Sequence, residues 1–205
     1  RTKNLMVLSF QSEPPALPYL WKKQKEIIIG YDAGDSLGWA VALSADARTL
    51  VVGAPGVNAN DIKRGYVEVY YRHDVMELGR TIHGVAVGDL FGYSIDIAAD
   101  GKILAIGSPG NWKKNDRPGY VSVYHLESTD DLGSSWKQLG QNITGEAIGD
   151  MFGNSVSLSD DGKTLAVGAY LNGEEAGHVQ IFRLDDDFGS WQQLGQDIVG
   201  EDPGD

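Results

Sequence analysis

The chain has 205 residues, 41% of them hydrophobic, with 17 basic against 29 acidic side chains and a formal net charge of −12. That balance, with no basic stripe, excludes an ordinary nucleic-acid surface, and no run of about 18 apolar residues is present to form a membrane-spanning helix. The absence of cysteine excludes a disulfide framework, a thiol nucleophile and thiolate metal sites. The acidity itself reads as solubility, or as carboxylates available to cations.

The first 33 residues read as the second half of a repeat. Leu5-Met-Val-Leu-Ser-Phe10 stands where Tyr120-Val-Ser-Val-Tyr124 stands later, Pro14, Pro15 and Pro18 mark a loop, and Trp21 precedes Gly34 as Trp136 precedes Gly149. From Gly34 the phrase Gly-Asp returns at Gly88, Gly149 and Gly204, a period of roughly 55–60 residues that identifies a repeat architecture. Full units therefore span 34–87, 88–148 and 149–203, and 204–205 opens a further one.

Each full unit reads as four short strands. The first alternates apolar and small residues, through Val41 and Leu43, Ile95 and Ile97, Val156 and Leu158. Period two predicts one buried face, so Val41, Ile95 and Val156 are expected in the core. Asp46-Ala47, Asp100-Gly101 and Asp161-Gly162 follow as hairpin turns. The second strand is nearly all apolar: Leu50-Val-Val-Gly-Ala54, Leu104-Ala-Ile-Gly-Ser108 and Leu165-Ala-Val-Gly-Ala169. Such runs fit strands covered on both faces, with glycine admitting close backbone approach. After a loop of variable length, a third strand starts at glycine in Gly65-Tyr-Val-Glu-Val-Tyr70, Gly119-Tyr-Val-Ser-Val-Tyr124 and Gly177-His-Val-Gln-Ile-Phe182. The fourth is a polar Trp-x-x-Leu-Gly phrase around Trp136 and Trp191, with Val75 in the tryptophan place of the first unit. No segment has helical periodicity.

A four-stranded antiparallel unit buries both faces only by stacking on others, and radial stacking gives a β-propeller. Phe91-Gly92 with Gly107-Ser-Pro109, Phe152-Gly153 with Gly168-Ala169, and Leu37-Gly38 with Gly53-Ala-Pro55 resemble the FG-GAP repeat. Repeats of this kind form the propeller of integrin α subunits and occur in extracellular proteins of bacteria and algae. The resemblance implies an all-β fold of about three and a half blades, part of a larger propeller of the seven-bladed type, and hence of a longer polypeptide or an assembly. It also raises calcium, which integrin repeats often hold in a loop of alternating Asp and Asn. The matching turns here, Ser44 to Thr49, Ala98 to Lys102 and Ser159 to Lys163, have few carboxylates and a neighbouring base. They read as plain hairpin turns, so neither a metal nor another cofactor is expected.

Asp35, Asp89, Asp150 and Asp205 recur once per unit, which points to bonding of backbone amides at a turn. Trp21, Trp136 and Trp191 recur likewise and read as packing between blades. Asp130-Asp131 and Asp185-Asp186-Asp187 are solvated loop tips or cation-binding clusters. His73, His83, His125 and His178 lie on different phrases, and no Ser-His-Asp, phosphate-loop or His-x-x-x-His pattern accompanies them. No catalytic residue is therefore assigned. Exposed aromatics at Trp39, Trp112 and Tyr170 suit stacking on sugar rings. Trp112 stands out, in a loop from Gly110 to Arg117 that only one unit has and that also carries Asn111 and Asp116. The candidate ligand residues are thus Asn111, Trp112, Asp116, Asp185, Asp186 and Asp187. Asn142-Ile143-Thr144 is an N-glycosylation acceptor on the expected outer strand.

Together these features predict a non-catalytic binding or structural module at the cell surface or outside the cell, meeting a protein or glycan partner through loops on one rim. An accessory domain of a larger secreted enzyme and an architectural subunit of a large assembly are the alternatives.

Overall fold

The computed structural model describes residues 28–58, 61–62, 64–72, 76–110, 117–130, 133–171, 176–187 and 189–202. The segments around Leu5–Phe10 and Trp21, together with His73, Val75, Asn111, Trp112, Asp116, Asp131 and Gly204-Asp205, lie outside the described residues. The described residues are all-β, with no helix. Blade 1 consists of β1 (Ala40–Leu43), β2 (Thr49–Ala54), a small hairpin of β3 (Val57–Asn58) and β4 (Asp61–Ile62), β5 (Tyr66–Arg72) and β6 (Met76–His83). Blade 2 consists of β7 (Ser94–Ile97), β8 (Ile103–Ser108), β9 (Tyr120–Asp130), β10 (Gly133–Gln138) and β11 (Ile143–Thr144). Blade 3 repeats it with β12 (Ser155–Leu158), β13 (Thr164–Ala169), β14 (His178–Asp185), β15 (Ser190–Gln193) and β16 (Ile198–Val199). Each sheet is an antiparallel meander in sequence order, β1-β2-β5-β6, β7-β8-β9-β10 and β12-β13-β14-β15, the last strands β11 and β16 returning to pair with β9 and β14. These are the blades of a β-propeller.

Register repeats from blade to blade: Val41 faces Val52, Ile95 faces Ile106 and Val156 faces Val167. The hairpin turn joining these strands fixes it. In blades 1 and 3 a serine hydroxyl donates to the Asp side chain (Ser44 to Asp46, 2.7 Å; Ser159 to Asp161, 2.6 Å). The same carboxylates accept from the backbone N–H of Arg48 and Lys163, and the serines accept from Thr49 and Thr164. This is the local chemistry that makes Ser-x-Asp favour a turn.

Blades join face to face through two apolar cores. Val51, Val67 and Val69 of blade 1 pack on Ile95, Ile97, Leu104 and Ile106 of blade 2. Ala105, Val121 and Val123 of blade 2 pack on Leu165, Val167 and Phe182 of blade 3. Phe91 and Phe152 plug these joints, each fully enclosed and edge-on to an aromatic ring, Tyr124 and Phe182 at 6.4 and 6.2 Å. The Phe-Gly turn lands on backbone: Gly65 bridges Phe91 and Gly119 bridges Phe152 in parallel fashion. A Cβ on Gly53 would lie 2.2 Å from the Gly92 carbonyl oxygen, and one on Gly107 only 2.1 Å from that of Gly153. The two phrases of the repeat therefore meet across the joint, the glycine of one blade receiving the turn of the next. Trp136 and Trp191 add outer ties, donating from Nε1 to the Tyr71 hydroxyl (2.7 Å) and the Leu139 carbonyl (3.0 Å).

One core expectation fails. Ile95 is buried and Val156 half-buried, but Val41 is 64% exposed. Val41 points away from blade 2, and the alternate positions Ala40 and Ala42 make the joint instead. Val52, Ile106 and Val167 are buried as expected.

Two substitutions test the joint. Phe152→Ala should cost about 3–5 kcal/mol by emptying it, measured by denaturant unfolding. Gly107→Ala should cost about 1–3 kcal/mol, because the new methyl meets backbone that cannot move aside. A loss under about 1 kcal/mol in either would contradict the packing described.

Candidate functional site

Antiparallel order sorts the connections between two rims. The links β2–β5, β8–β9 and β13–β14 share one edge with the Gly-Asp turns that open each blade. The Asp hairpin turns and the β5–β6, β9–β10 and β14–β15 turns share the other. The first rim carries the long links between second and third strands, residues 55–65, 109–119 and 170–177, whose sequences vary from unit to unit.

On this variable rim three aromatic residues stand near one another. Trp39 and Tyr93 occupy the position after the Leu-Gly or Phe-Gly step, and their rings lie 5.2 Å apart at 47°. Tyr170 follows β13 at the same edge, and its phenol acts with burial to push the Tyr93 phenol up, burial being the larger cause. Trp39 is 50% and Tyr170 52% exposed, so the row offers flat apolar faces to solvent at the edge of the blades. Exposed aromatics of this kind suit protein and sugar ligands alike.

Beside the row lie the repeated carboxylates. Asp35, Asp89 and Asp150 are buried, and each accepts from the backbone N–H three residues earlier, from Asp32, Ala86 and Ala147 at 2.8, 2.9 and 2.7 Å. This is the turn role expected of them. A second role was not read from the sequence. The Tyr66 hydroxyl donates to Asp35 (3.0 Å) and that of Tyr120 to Asp89 (2.9 Å), tying the start of the third strand to the turn of its own blade. The signal was present, since both pairs are 31 residues apart. Burial pushes both phenols up, so they remain donors at neutral pH. Arg117 pairs with the other oxygen of Asp89 and closes the β8–β9 loop onto blade 2. In blade 3 His178 replaces the tyrosine, and its Nε2 is buried with no partner among the described residues.

A further polar layer runs through the third strands at Glu68, Ser122 and Gln180, all buried. Tyr70 donates to Glu68, Ser122 to Asn142, and Gln180 to Glu146 and Asp197. These groups satisfy one another, as buried polar groups must.

The candidate ligand residues separate. Asn111, Trp112 and Asp116 are outside the described residues, but Gly110 and Arg117 on either side lie at the variable rim. Asp185 ends β14, and Asp186 and Asp187 follow it, on the opposite rim. Asp187 N–H donates to Asp185 (3.0 Å), and Asp186 receives the Lys163 ammonium (2.6 Å). Asn142 is exposed between β10 and β11, its Oδ1 accepting from Ser122 and Gln138. Among the described residues no three or more His, Asp or Glu side chains gather as a metal site.

With that geometry in place the chain can be set beside known proteins. Residues 145–182 match the FG-GAP repeat. The matched stretch runs from the end of β11 through the blade 3 turn and β13 to Phe182, and so includes both phrases that meet across the joints. No curated protein matches the chain. Among solved structures, a putative 6-phosphogluconolactonase from Bacteroides uniformis is similar at 16% identity and a TM-score of 0.62, over 95% of this chain and 49% of that one. Sqt1 from Chaetomium thermophilum is similar at 19% identity and a TM-score of 0.54, over 80% of this chain and 36% of that one. The same protein bound to the N-terminus of a ribosomal protein gives 19% and 0.55, over 80% and 38%. At such identities the likeness is one of fold, and this chain spans about half the length, or less, of those chains. None of these three is an integrin, so the propeller fold is shared beyond the integrin-type repeat.

The acidic hairpin turns give a pH signature. The Ser44 and Ser159 hydroxyls, followed by backbone N–H groups, hold Asp46 and Asp161 below the ordinary value of 3.8. Carboxylates lowered in the fold stabilise it above their unfolded value, and that contribution is lost as pH falls through the lower folded value. Asp46→Asn with Asp161→Asn should therefore lower the melting temperature at neutral pH and flatten its fall below pH 3.8. Since these oxygens are already bonded within the turns, excess calcium should leave the melting temperature unchanged. A rise of many degrees that Asp161→Ala abolishes would show that the turns bind the ion.

Proposed function

We propose that this chain is a non-catalytic binding module that meets its partner through the variable rim, with Trp39, Tyr93 and Tyr170 as the contact row. The observation that carries this reading is a division of labour between buried and exposed side chains. The repeated Asp and Trp side chains are consumed in turns and joints, while Trp39 and Tyr170 are exposed beside Tyr93 on the rim of the long links. A protein partner is favoured. Aromatic anchors on a rigid scaffold suit a peptide or loop, and Sqt1 shows that a chain of this fold can hold a protein N-terminus. A glycan is the second reading, supported by the flat faces of Trp39 and Tyr170.

Placement at the cell surface or outside the cell is part of the proposal. It is supported by the exposed Asn142 acceptor and by the likeness to extracellular repeat proteins. The roles of accessory domain in a secreted enzyme and of architectural subunit remain the alternatives, and a propeller by itself decides no activity.

Selection against a displayed peptide library and a glycan array tests the reading. Trp39→Ala with Tyr170→Ala should weaken the selected ligand tenfold or more, about 1.4 kcal/mol, while Asp186→Ala on the opposite rim leaves it unchanged. Equal loss from both rims, or turnover of sugar lactones by the purified chain, would overturn it. Secretion from a eukaryotic host should add a glycan mass that Asn142→Gln removes.

A further inference from the structure

The tie between the third strand and the turn of its own blade is closed in blades 1 and 2 and open in blade 3. Tyr66, Tyr120 and His178 hold one register position, opposite Ala54, Ser108 and Ala169 at the end of the second strand. In blades 1 and 2 a single aspartate oxygen, Oδ2 of Asp35 or Asp89, accepts twice. It takes the backbone N–H three residues earlier and the tyrosine hydroxyl. Asp150 Oδ2 keeps the first bond, from Ala147 at 2.7 Å, and among the described residues its carboxylate receives no other. His178 has the matching gap, since its Nε2 is enclosed and without a partner. Both residues are 5% exposed.

The frame around this gap matches that around the closed ties. Met151 has φ 58° against 57° at Leu90. The Asp150 carbonyl accepts from the Leu171 N–H at 3.3 Å, as the Asp89 carbonyl does from Gly110 at 3.2 Å. The shared register directs the imidazole toward the Asp150 carboxylate, and its ring, shorter than a phenol, stops short of it. His178 lies on the same face of β14 as Gln180 and Phe182. That face meets blade 2 and the link from it, through Glu146 and the apolar joint, so the gap sits inside a joint described on both sides. The charged groups around it are mostly acidic. Asp150 and Glu146 stand in the link, Asp197, Glu201 and Asp202 flank β16, and Gln180 donates to Glu146 and Asp197. Arg117, whose carbonyl accepts from Gly149, has its guanidinium on Asp89.

We propose that His178 and Asp150 form a proton-operated tie, closed when His178 takes a proton from solvent and open when it is neutral. The neutral ring leaves a buried carboxylate without the donor it has in the other blades, which costs stability. The imidazolium supplies both a donor and an opposite charge. The carboxylate is already out of water, so only the imidazole adds a desolvation cost, and the attraction acts where screening is weak. Histidine in an open chain charges near about pH 6.5, so the joint between blades 2 and 3 tightens as pH falls through that region. Tyr170 lies beside the tie. Its neighbour Leu171 is bonded to the Asp150 carbonyl, and a Cβ on Gly177 would stand 3.2 Å from the Tyr170 carbonyl oxygen. The acid form therefore also steadies Tyr170 at the rim. The tie belongs to the joint and stands independently of the ligand proposed there.

Melting temperatures of the wild type, His178→Gln and His178→Tyr at about pH 5.5 and about pH 8, on either side of the ordinary imidazole value, test this. A histidine that gains a partner when charged stabilises the fold below that value and loses the contribution as pH rises. The margin of wild type over His178→Gln should therefore widen by several degrees at the acid pH and close at the alkaline one. His178→Tyr restores the hydroxyl of the other blades and should melt above wild type at the alkaline pH. Asp150→Asn keeps the backbone bond without the charge, and in that background the acid margin should vanish. Amide exchange at Leu171 should be slower in wild type than in His178→Gln at the acid pH alone. A margin that stays constant, that widens toward alkaline pH or that survives Asp150→Asn would overturn the tie. A His178→Tyr protein no more stable than wild type at the alkaline pH would do so too, by placing Asp150 out of reach. Equal Leu171 exchange in the two proteins at the acid pH would overturn the effect on Tyr170.

Discussion

The rest of the structure depends on one backbone contact, the seating of a Phe-Gly turn on the glycines of the preceding blade. The Gly92 and Gly153 carbonyl groups occupy the space that side chains on Gly53 and Gly107 would fill, and this close approach sets the distance at which the faces meet. The phenylalanine beside each carbonyl then fills the gap between sheets. Because the contact is made by backbone, it tolerates much variation in the side chains around it, which explains how units of modest likeness repeat one register.

Around that contact, each unit also spends its polar residues on itself. Asp35, Asp89 and Asp150 shape the turn that presents the Phe-Gly or Leu-Gly step, and Tyr66 and Tyr120 lock two of those turns to the sheet behind them. At the opposite rim the Ser-x-Asp turns fix the hairpins, and neighbouring hairpins are linked by backbone bonds from Ala45 to Ala99 and from Ala99 to Asp160, both 3.0 Å. What does not repeat, the sequence of the loops at the variable rim, is free to differ without disturbing the joints. A propeller serves unrelated activities for this reason: the scaffold holds the rim rigid without dictating its chemistry.

Blade 3 shows how far substitution can go before a unit loses a tie. His178 stands where tyrosine bonds the turn carboxylate in the other two blades, while Asp150 keeps its backbone bond from Ala147. The turn nevertheless holds the same left-handed residue at Met151 as at Leu90. The tyrosine tie therefore reinforces a conformation that the Gly-Asp-x-Phe-Gly sequence already favours through its flanking glycines.

The sequence by itself determined the strands, their order within each blade, the hairpin turns and the repeat, because these follow from period-two burial, Asp-Gly turns and glycine spacing within one unit. It also determined the role of the repeated aspartates, since a residue present in every unit serves the unit. Which face of a strand is covered was decided only by tertiary structure. Alternation marks Val41 and Ile95 alike, yet a neighbouring blade lies over one and none of the described sheets over the other. The pairing of Tyr66 with Asp35, the gathering of Trp39, Tyr93 and Tyr170, and the placing of Asp185–Asp187 on the rim opposite Gly110 and Arg117 were likewise settled in space. They depend on which ends of antiparallel strands share a rim and on how neighbouring blades bring those ends together, and neither distance is written in the local pattern of a single unit.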